Sequence, residues 1–425
     1  MARIFPFAAL RYDTAKIGRL EDVITQPYDK ITPEMLERYR ALSPYNLAHI
    51  IKTSDYAGAA GLLQNWLREG ILRRDPTPAV YPYFQTYRAP GSSETRTRRG
   101  FIAAGGLEEY GAGVVFRHEQ TLTGPKLDRL QLLRSTRAHF GQIFMLYADP
   151  AGEIDGLLDS ASRAEPIERL CDEYVAEHAV WRVDEPSAID AYRRSMADKK
   201  LIIADGHHRY ETALAFREEC RRSGRHQPGG RSEAVMMTFV NMDAPGLTIL
   251  PTHRVLARLP DFDQARLLES IERYFEALPM SPEEGRGRLA RYEAGKAIGA
   301  GLRGKQRPEF YLLALRPEAD LAALLPHIPP LQRHLDVVVL HQLLLRECLG
   351  IDEQAVREEK FLVYVREFEQ GWEAVERGAP ACFFLNPVGI DQMREIAFSG
   401  GVLPQKSTDF YPKLLSGLTG YTVED

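Results

Sequence analysis

Residues 201–216 read LIIADGHHRYETALAF. Leu201, Ile202, Ile203 and Ala204 have the length and apolarity of a buried strand, and Tyr210, Ala213, Leu214 and Phe216 recur as a helix's buried face does. Asp205 suits an N-cap, while Gly206 permits a sharp turn and close approach of a ligand. A strand handing over to a helix across one glycine points the N–H groups of residues 206–209 outward, with the positive end of the helix dipole behind them. Arg209 adds a forked donor set that suits phosphate, and His207 and His208 donate or accept near neutral pH. The pattern predicts an anion site, most naturally for a phosphate chain. The plainer reading leaves Asp205 as a simple cap and the histidines as surface or satisfied core residues. A metal fits less well, because adjacent helical histidines diverge, unlike the i, i+4 pair of a zinc helix. No metal ligand is assigned.

The 425 residues leave room for two or three domains, and 44% hydrophobic with 27% charged residues is ordinary for a globular protein with a normal core. A net charge of −5 gives no global field favouring nucleic acid or an anionic membrane, so neither is expected as a partner. The expected partner is a small-molecule substrate. Four scattered cysteines without a CxxC pair argue for a reducing compartment and against a cysteine zinc site. With no apolar run of membrane-spanning length and an N-terminus unlike a signal peptide, the expectation is a cytoplasmic protein.

Strand-like and helical runs alternate irregularly along the chain. Residues 4–12 and 45–52 look like strands, and 57–72 like an amphipathic helix with Leu62, Leu63, Trp66 and Leu67 inward. Residues 79–110 read as a hairpin around the Gly-Ser-Ser tip at 91–93, and 142–148 and 233–243 as further strands. Because strands cluster, a mixed α/β (α+β) fold is expected rather than a regular doubly wound one. A composition shift near residue 257 suggests a core over 1–256 and an α/β C-terminal region over 257–425.

Other polar stretches compete for function. GAGLRGKQ at 299–306 mimics a phosphate-binding loop, but Gln306 replaces the required hydroxyl and a strand-like run follows, so a hairpin turn is expected. In 116–140, Thr123 or Gly124 with Pro125 suit a helix start, with Leu127, Leu130 and Leu133 inward. His118, Glu119, Lys126, Asp128 and Arg129 cluster there, and a carboxylate among cations can serve as a base or hold magnesium; an ordinary charged helix start explains them equally well. Thr252, His253 and Arg254 alternate along a strand and cannot all face one pocket. Lys406, Ser407, Thr408 and Lys413 sit in a C-terminal loop able to donate to phosphate, or in a plain polar turn. Asp29 follows Pro27 and Tyr28 in a turn.

The stretches ADGHHRYETAL, HEQTLTGPKLDRLQLL, LPTHR, LDVVVLHQLLL and QKSTDFYPKLLSGL, in this order, resemble the bacterial and archaeal family catalogued as domain of unknown function 1015. Gln26 and Asp409 depart from the pattern of that family. The DGHHR element also resembles the phosphate-binding turn of the ParB and sulfiredoxin superfamily, which includes free-serine kinases. That resemblance implies a ParB/sulfiredoxin-like core with additional α/β elements, and it implicates Gly206, His207, His208 and Arg209 in holding nucleotide phosphates.

Together these readings lead to a nucleotide-dependent phosphotransferase acting on a small hydroxylated metabolite, a serine-kinase-like activity among the options. ATP or ADP with Mg2+ would be the cofactors. Glu119 is the first choice for the carboxylate that orients the acceptor, with Asp205 and Asp29 behind it and His208 as a further catalytic candidate. Lys126, Arg129, Lys406, Ser407 and Thr408 would supplement the phosphate pocket. The rival expectations are a nucleotide-sensing regulatory protein without turnover, and a phosphatase or other hydrolase using the same anion pocket.

Overall fold

The strand, glycine and helix read from residues 201–216 are present in the structure, a computed structural model that describes residues 1–119, 124–224 and 229–424. The strand is Leu201–Asp205 and the helix His207–Arg222. Tyr210, Ala213, Leu214 and Phe216 are buried, as the helical spacing requires. Gly206, at φ +95°, is the residue that caps the helix, so Asp205 is the last strand residue and not the cap. Its carboxylate instead accepts the Gly206 N–H at 2.9 Å. The left-handed φ explains the shift, since only glycine adopts it without strain.

The chain is of mixed α/β class and divides into two compact units. The first comprises residues 1–117, those from 124 to 248, and the C-terminal segment from Tyr411; the second takes His118, Glu119 and Ile249–Phe410. The boundary thus falls at Thr248, ahead of the composition shift, and the C-terminal segment returns to the first unit rather than joining the second.

The first unit is organised on one mixed sheet. Its strands lie in the order Val115–Arg117, Leu201–Asp205, Ile143–Tyr147, Ala234–Asn241, Thr95–Gly106, Tyr81–Arg88, Glu177–Val180 and Glu168–Cys171, with Ile4–Phe5 also on Thr95–Gly106. Alternation divides the sheet into two unlike faces. Phe101, Ala103, Ile143, Met145, Leu201, Ile203, Met237 and Phe239 point into one apolar core with Tyr210, Ala213 and Leu214 of the helix. The opposite parity carries Tyr83, Gln85, Tyr87, Arg98 and Thr238, all buried, and it is here that the C-terminal segment is held. The 45–52 run, expected as a strand, contains the short helix Ala48–Ile51. Asn46 accepts the Ala48 N–H at 2.9 Å, a local side-chain turn that overrides the β-branched composition. In the helix Gly124–Thr136, Leu130 and Leu133 are buried but Leu127 is 63% exposed, because the inward stripe runs through Arg129, Leu130, Leu132 and Leu133. Thr123 lies outside the described residues.

The second unit holds a six-stranded antiparallel sheet in the order Phe275–Met280, Pro308–Leu315, Ala297–Arg303, Ala381–Phe384, His253–Leu256 and Leu362–Val365. Ala297–Arg303 and Pro308–Leu315 are hairpin partners, which makes 299–306 a strand end and a turn rather than a phosphate loop. Burial, and then the charge of Arg254, pushes both His253 and His341 down to about 3. Both imidazoles therefore stay neutral in the folded protein, while in the unfolded chain they take up protons below about pH 6.5. The stability gained by keeping them neutral is full above about pH 6.5 and is lost as pH falls toward the folded values. The melting temperature is expected to fall between about pH 7 and pH 5, and His341→Gln to flatten that dependence, as read by calorimetry.

Candidate functional site: an anion-binding turn

At the C-terminal end of strand Leu201–Asp205, the Asp205 carboxylate is ringed by cations. Arg209 Nη2 lies 3.5 Å from its Oδ2 and Lys413 Nζ lies 3.7 Å away. Burial alone would raise the pKa of Asp205, but Lys413, Arg209, Lys30 and His207 together hold it well below the usual carboxylate range. The carboxylate is ionised at any physiological pH, and four cation-capable side chains stand around a single anion. That excess of positive charge faces the start of a sixteen-residue helix. The first-turn N–H groups of a helix lack intrahelical acceptors, and Gly206 has no side chain to supply one. The arrangement can accept a phosphate on backbone donors, a forked guanidinium and ammonium groups at once.

Arg209 is fixed from behind, since its Nη1 donates to the Gln142 carbonyl. It also lines a cavity of about 60 Å3 with Tyr28, Arg129, Gly141 and Ser416. That space holds a few waters. Arg129 stacks over Tyr28 with its Cζ 4.2 Å from the ring centroid, and pairs with Asp128 at 2.5 Å. Burial, with Asp29 nearby, pushes the Tyr28 hydroxyl up to about 12, so it is a neutral donor.

Gly206 tolerates no side chain. A Cβ there would stand 3.1 Å from the Arg209 guanidinium carbon and would sit in left-handed backbone. Gly206→Ala is expected to cost about 1–2 kcal/mol in urea unfolding, from the backbone term alone, and to displace Arg209 as well.

The residues singled out in the sequence separate into two groups. Asp205, Gly206, His207, His208, Arg209 and Arg129 belong to the first unit and meet at the turn and its cavity. Lys126 is also in this unit but forms an ion pair with Glu211 on the helix Gly124–Thr136 side of the turn's own helix. Glu119, Lys406, Ser407 and Thr408 belong to the second unit, where they build one loop. Glu119 accepts the Lys406 backbone N–H, Ser407 donates to the Pro404 carbonyl at 2.5 Å, and Thr408 lies 2.7 Å from His118 Nε2. Arg254, fully buried, donates to the Lys406 carbonyl at 2.9 Å. In that setting Glu119 shapes a turn whose Lys406 has φ +58°. Sequence reasoning passed over Lys30 and Gln142 and left Lys413 outside the site. Lys413 stood in view as a loop lysine, but nothing local ties it to Asp205.

A mixed α/β protein with a cationic, glycine-turned helix start is the class that these features define. The chain belongs to the DUF1015 family, described as proteins of unknown function, whose model matches residues 4–338. No curated protein matches the chain. Among solved structures, it is similar to a variant of a free serine kinase in complex with ADP, with 12% identity, 72% of this chain and 89% of that chain covered, and a TM-score of 0.35. A conserved hypothetical protein from Pyrococcus furiosus is similar at 12% identity, with 70% and 86% covered and a TM-score of 0.33. SbnI from Staphylococcus aureus, with a C-terminal truncation, is similar at 11% identity, with 74% and 85% covered and a TM-score of 0.34. Among the described residues no helix is long and apolar enough to cross a membrane, and no group of three or more His, Cys, Asp or Glu is placed to hold a metal ion.

Proposed function

We propose that the first unit binds the phosphates of a nucleotide at the Gly206 turn and transfers a phosphoryl group to a small hydroxylated metabolite. The observation that carries this reading is the convergence of Arg209, Lys413, Lys30 and His207 on one carboxylate at an uncapped helix start. Phosphoryl transfer asks chiefly for positioning and charge neutralisation, and this is what the turn supplies. The backbone at 207–209 and the Arg209 fork hold phosphate oxygens; Lys413 and Lys30 offset charge that builds on the leaving nucleotide diphosphate; His208, half-buried, is the adjacent imidazole that takes the proton the acceptor hydroxyl loses as its oxygen bonds to phosphorus.

Asp205 is too acidic to act as a base, so its part is to order the cations. Asp29 is exposed between Tyr28, which lines the cavity, and Lys30, which acts on Asp205, and it is the carboxylate we assign to orienting an acceptor hydroxyl. Both oxygens of Asp205 face donors rather than an open position, which does not fit a resident metal. Mg2+ enters only as the ion that a nucleotide brings with it.

Calorimetric titration of ATP, ADP and phosphate into wild type, His208→Ala and Arg209→Ala tests the site. Unchanged affinity in both variants would overturn it. Turnover of ATP or ADP with a panel of hydroxyl acceptors then tests the transfer. Nucleotide binding without turnover would leave a sensor, and phosphate release without nucleotide a hydrolase.

A further inference from the structure

The face of the first unit's sheet opposite its apolar core carries a row of buried polar side chains with an unusual set of partners. Arg98 and Gln85 are direct cross-strand neighbours, and His178 is the neighbour of Gln85 on its other side. Arg98 is 1% exposed, yet no carboxylate forms an ion pair with it among the described residues. Its Nε donates to Gln85 Oε1 at 3.0 Å, and its two terminal nitrogens donate to the carbonyls of Tyr411 at 3.2 Å and Pro412 at 2.5 Å. Gln85 Nε2 donates to the Lys413 carbonyl at 2.9 Å. Gln142 Nε2 donates to the Leu415 carbonyl at 3.1 Å, and the same residue's carbonyl receives Arg209. Ser416 then pairs with Thr25 through both backbone groups.

The carbonyls of residues 411, 412, 413 and 415 thus accept from side chains of the sheet, and backbone pairing with Thr25 takes over at Ser416. Burying an arginine without an anion is costly, and a hydrophobic residue would pack there at less expense. The Arg98 charge, which burial pulls down to about 10, also acts on Asp205.

We propose that Arg98, Gln85 and Gln142 are positioning residues that set the Lys413 ammonium against Asp205, and so fix the cation placement of the phosphate site. This rests on the reading of the Gly206 turn as that site. The clamp explains how a residue on a loop reaches the accuracy that charge stabilisation demands. It also links the surroundings of the two cations, because the Gln142 side chain holds the Leu415 carbonyl, two residues after Lys413, and the Gln142 backbone carbonyl accepts from Arg209.

Two measurements test the proposal. The first is acylation of Lys413, followed by mass spectrometry of the full chain, in wild type, Gln85→Leu, Gln85→Asn and Arg98→Lys. Lys413, whose side chain is 9% exposed, is expected to label slowly in wild type and severalfold faster in the variants, with other lysines unchanged. Unchanged Lys413 labelling in the folded variants overturns the clamp. This readout needs no nucleotide, so it decides the clamp even if wild type fails to bind ADP, a result that would remove the proposed function instead. The second is a cycle of ADP affinities. Gln85→Leu is expected to cost about tenfold with Lys413 present and almost nothing in a Lys413→Met background. Equal costs in both backgrounds would make the row merely structural. If Gln85→Leu does not fold, Gln85→Asn, one methylene shorter, carries the same comparison.

Discussion

Replacing Arg209 by methionine is expected to weaken ADP binding about 30- to 100-fold, equivalent to about 2–3 kcal/mol, the range of hydrogen bonds to charged groups. The side chain is mostly buried, its stem is fixed by the Gln142 carbonyl, and its guanidinium sits within reach of both the turn and the cavity. Methionine keeps much of the stem's packing, so the loss reports on charge and donors rather than on a void. Arg209→Lys is expected to recover only part of the affinity, because a single ammonium cannot reproduce the planar fork. Calorimetric titration at fixed salt measures both variants. An affinity within twofold of wild type in Arg209→Met would show that phosphate sits elsewhere.

Asp205→Asn should separate two roles that act in opposite directions. The carboxylate is stabilised by Lys413, Arg209, Lys30 and His207, so its folded pKa lies below the unfolded one. The stability it contributes is present above about pH 4 and is lost only as pH falls through the folded value. At neutral pH the amide leaves these cations facing one another, and unfolding in urea is expected to show a loss of about 1–3 kcal/mol. The same change removes the anion that competes with phosphate for those cations. Affinity for inorganic phosphate should therefore rise while stability falls. A parallel loss of both would mean that the carboxylate itself holds the ligand, through a bound cation, and that the role given to Asp205 is wrong.

The part of the site that could be read from sequence is the part that is local. The strand Leu201–Asp205, the Gly206 turn and the first helical turn follow each other along the chain, and glycine, cap and periodicity signals operate over such distances. The cap was misplaced by one residue because a good capping side chain at 205 stood beside a glycine with positive φ, and backbone geometry prevailed. The 45–52 stretch misled for a similar reason: its isoleucines favour a strand, while one Asn46 side chain starts a helical turn. Lys413 was invisible as a partner of Asp205 because hydrogen bonds from the sheet, not sequence proximity, bring it there. Arg98 and Gln85 read as two more polar residues in a hairpin, and only the register that sets them opposite each other exposes the row. Residues 118–119 and 406–408, far apart in the sequence, meet in one loop through contacts that no local pattern reveals.

The first unit is discontinuous, with the whole second unit inserted before its last segment. That order matters while the protein is being made. A ribosome finishes every strand of the main sheet, the Gly206 turn and Arg209 long before it releases Tyr411–Ser416. Until then the face bearing Tyr83, Gln85 and Arg98 lacks the carbonyls that satisfy it, and Asp205 lacks Lys413. An unfinished chain therefore has the Gly206 turn but not the Lys413 ammonium beside Asp205, and its Arg98 keeps only the Gln85 oxygen as an acceptor. The charge balance at Asp205 is thus set only after Tyr411–Ser416 has been made, however early the rest of the first unit folds.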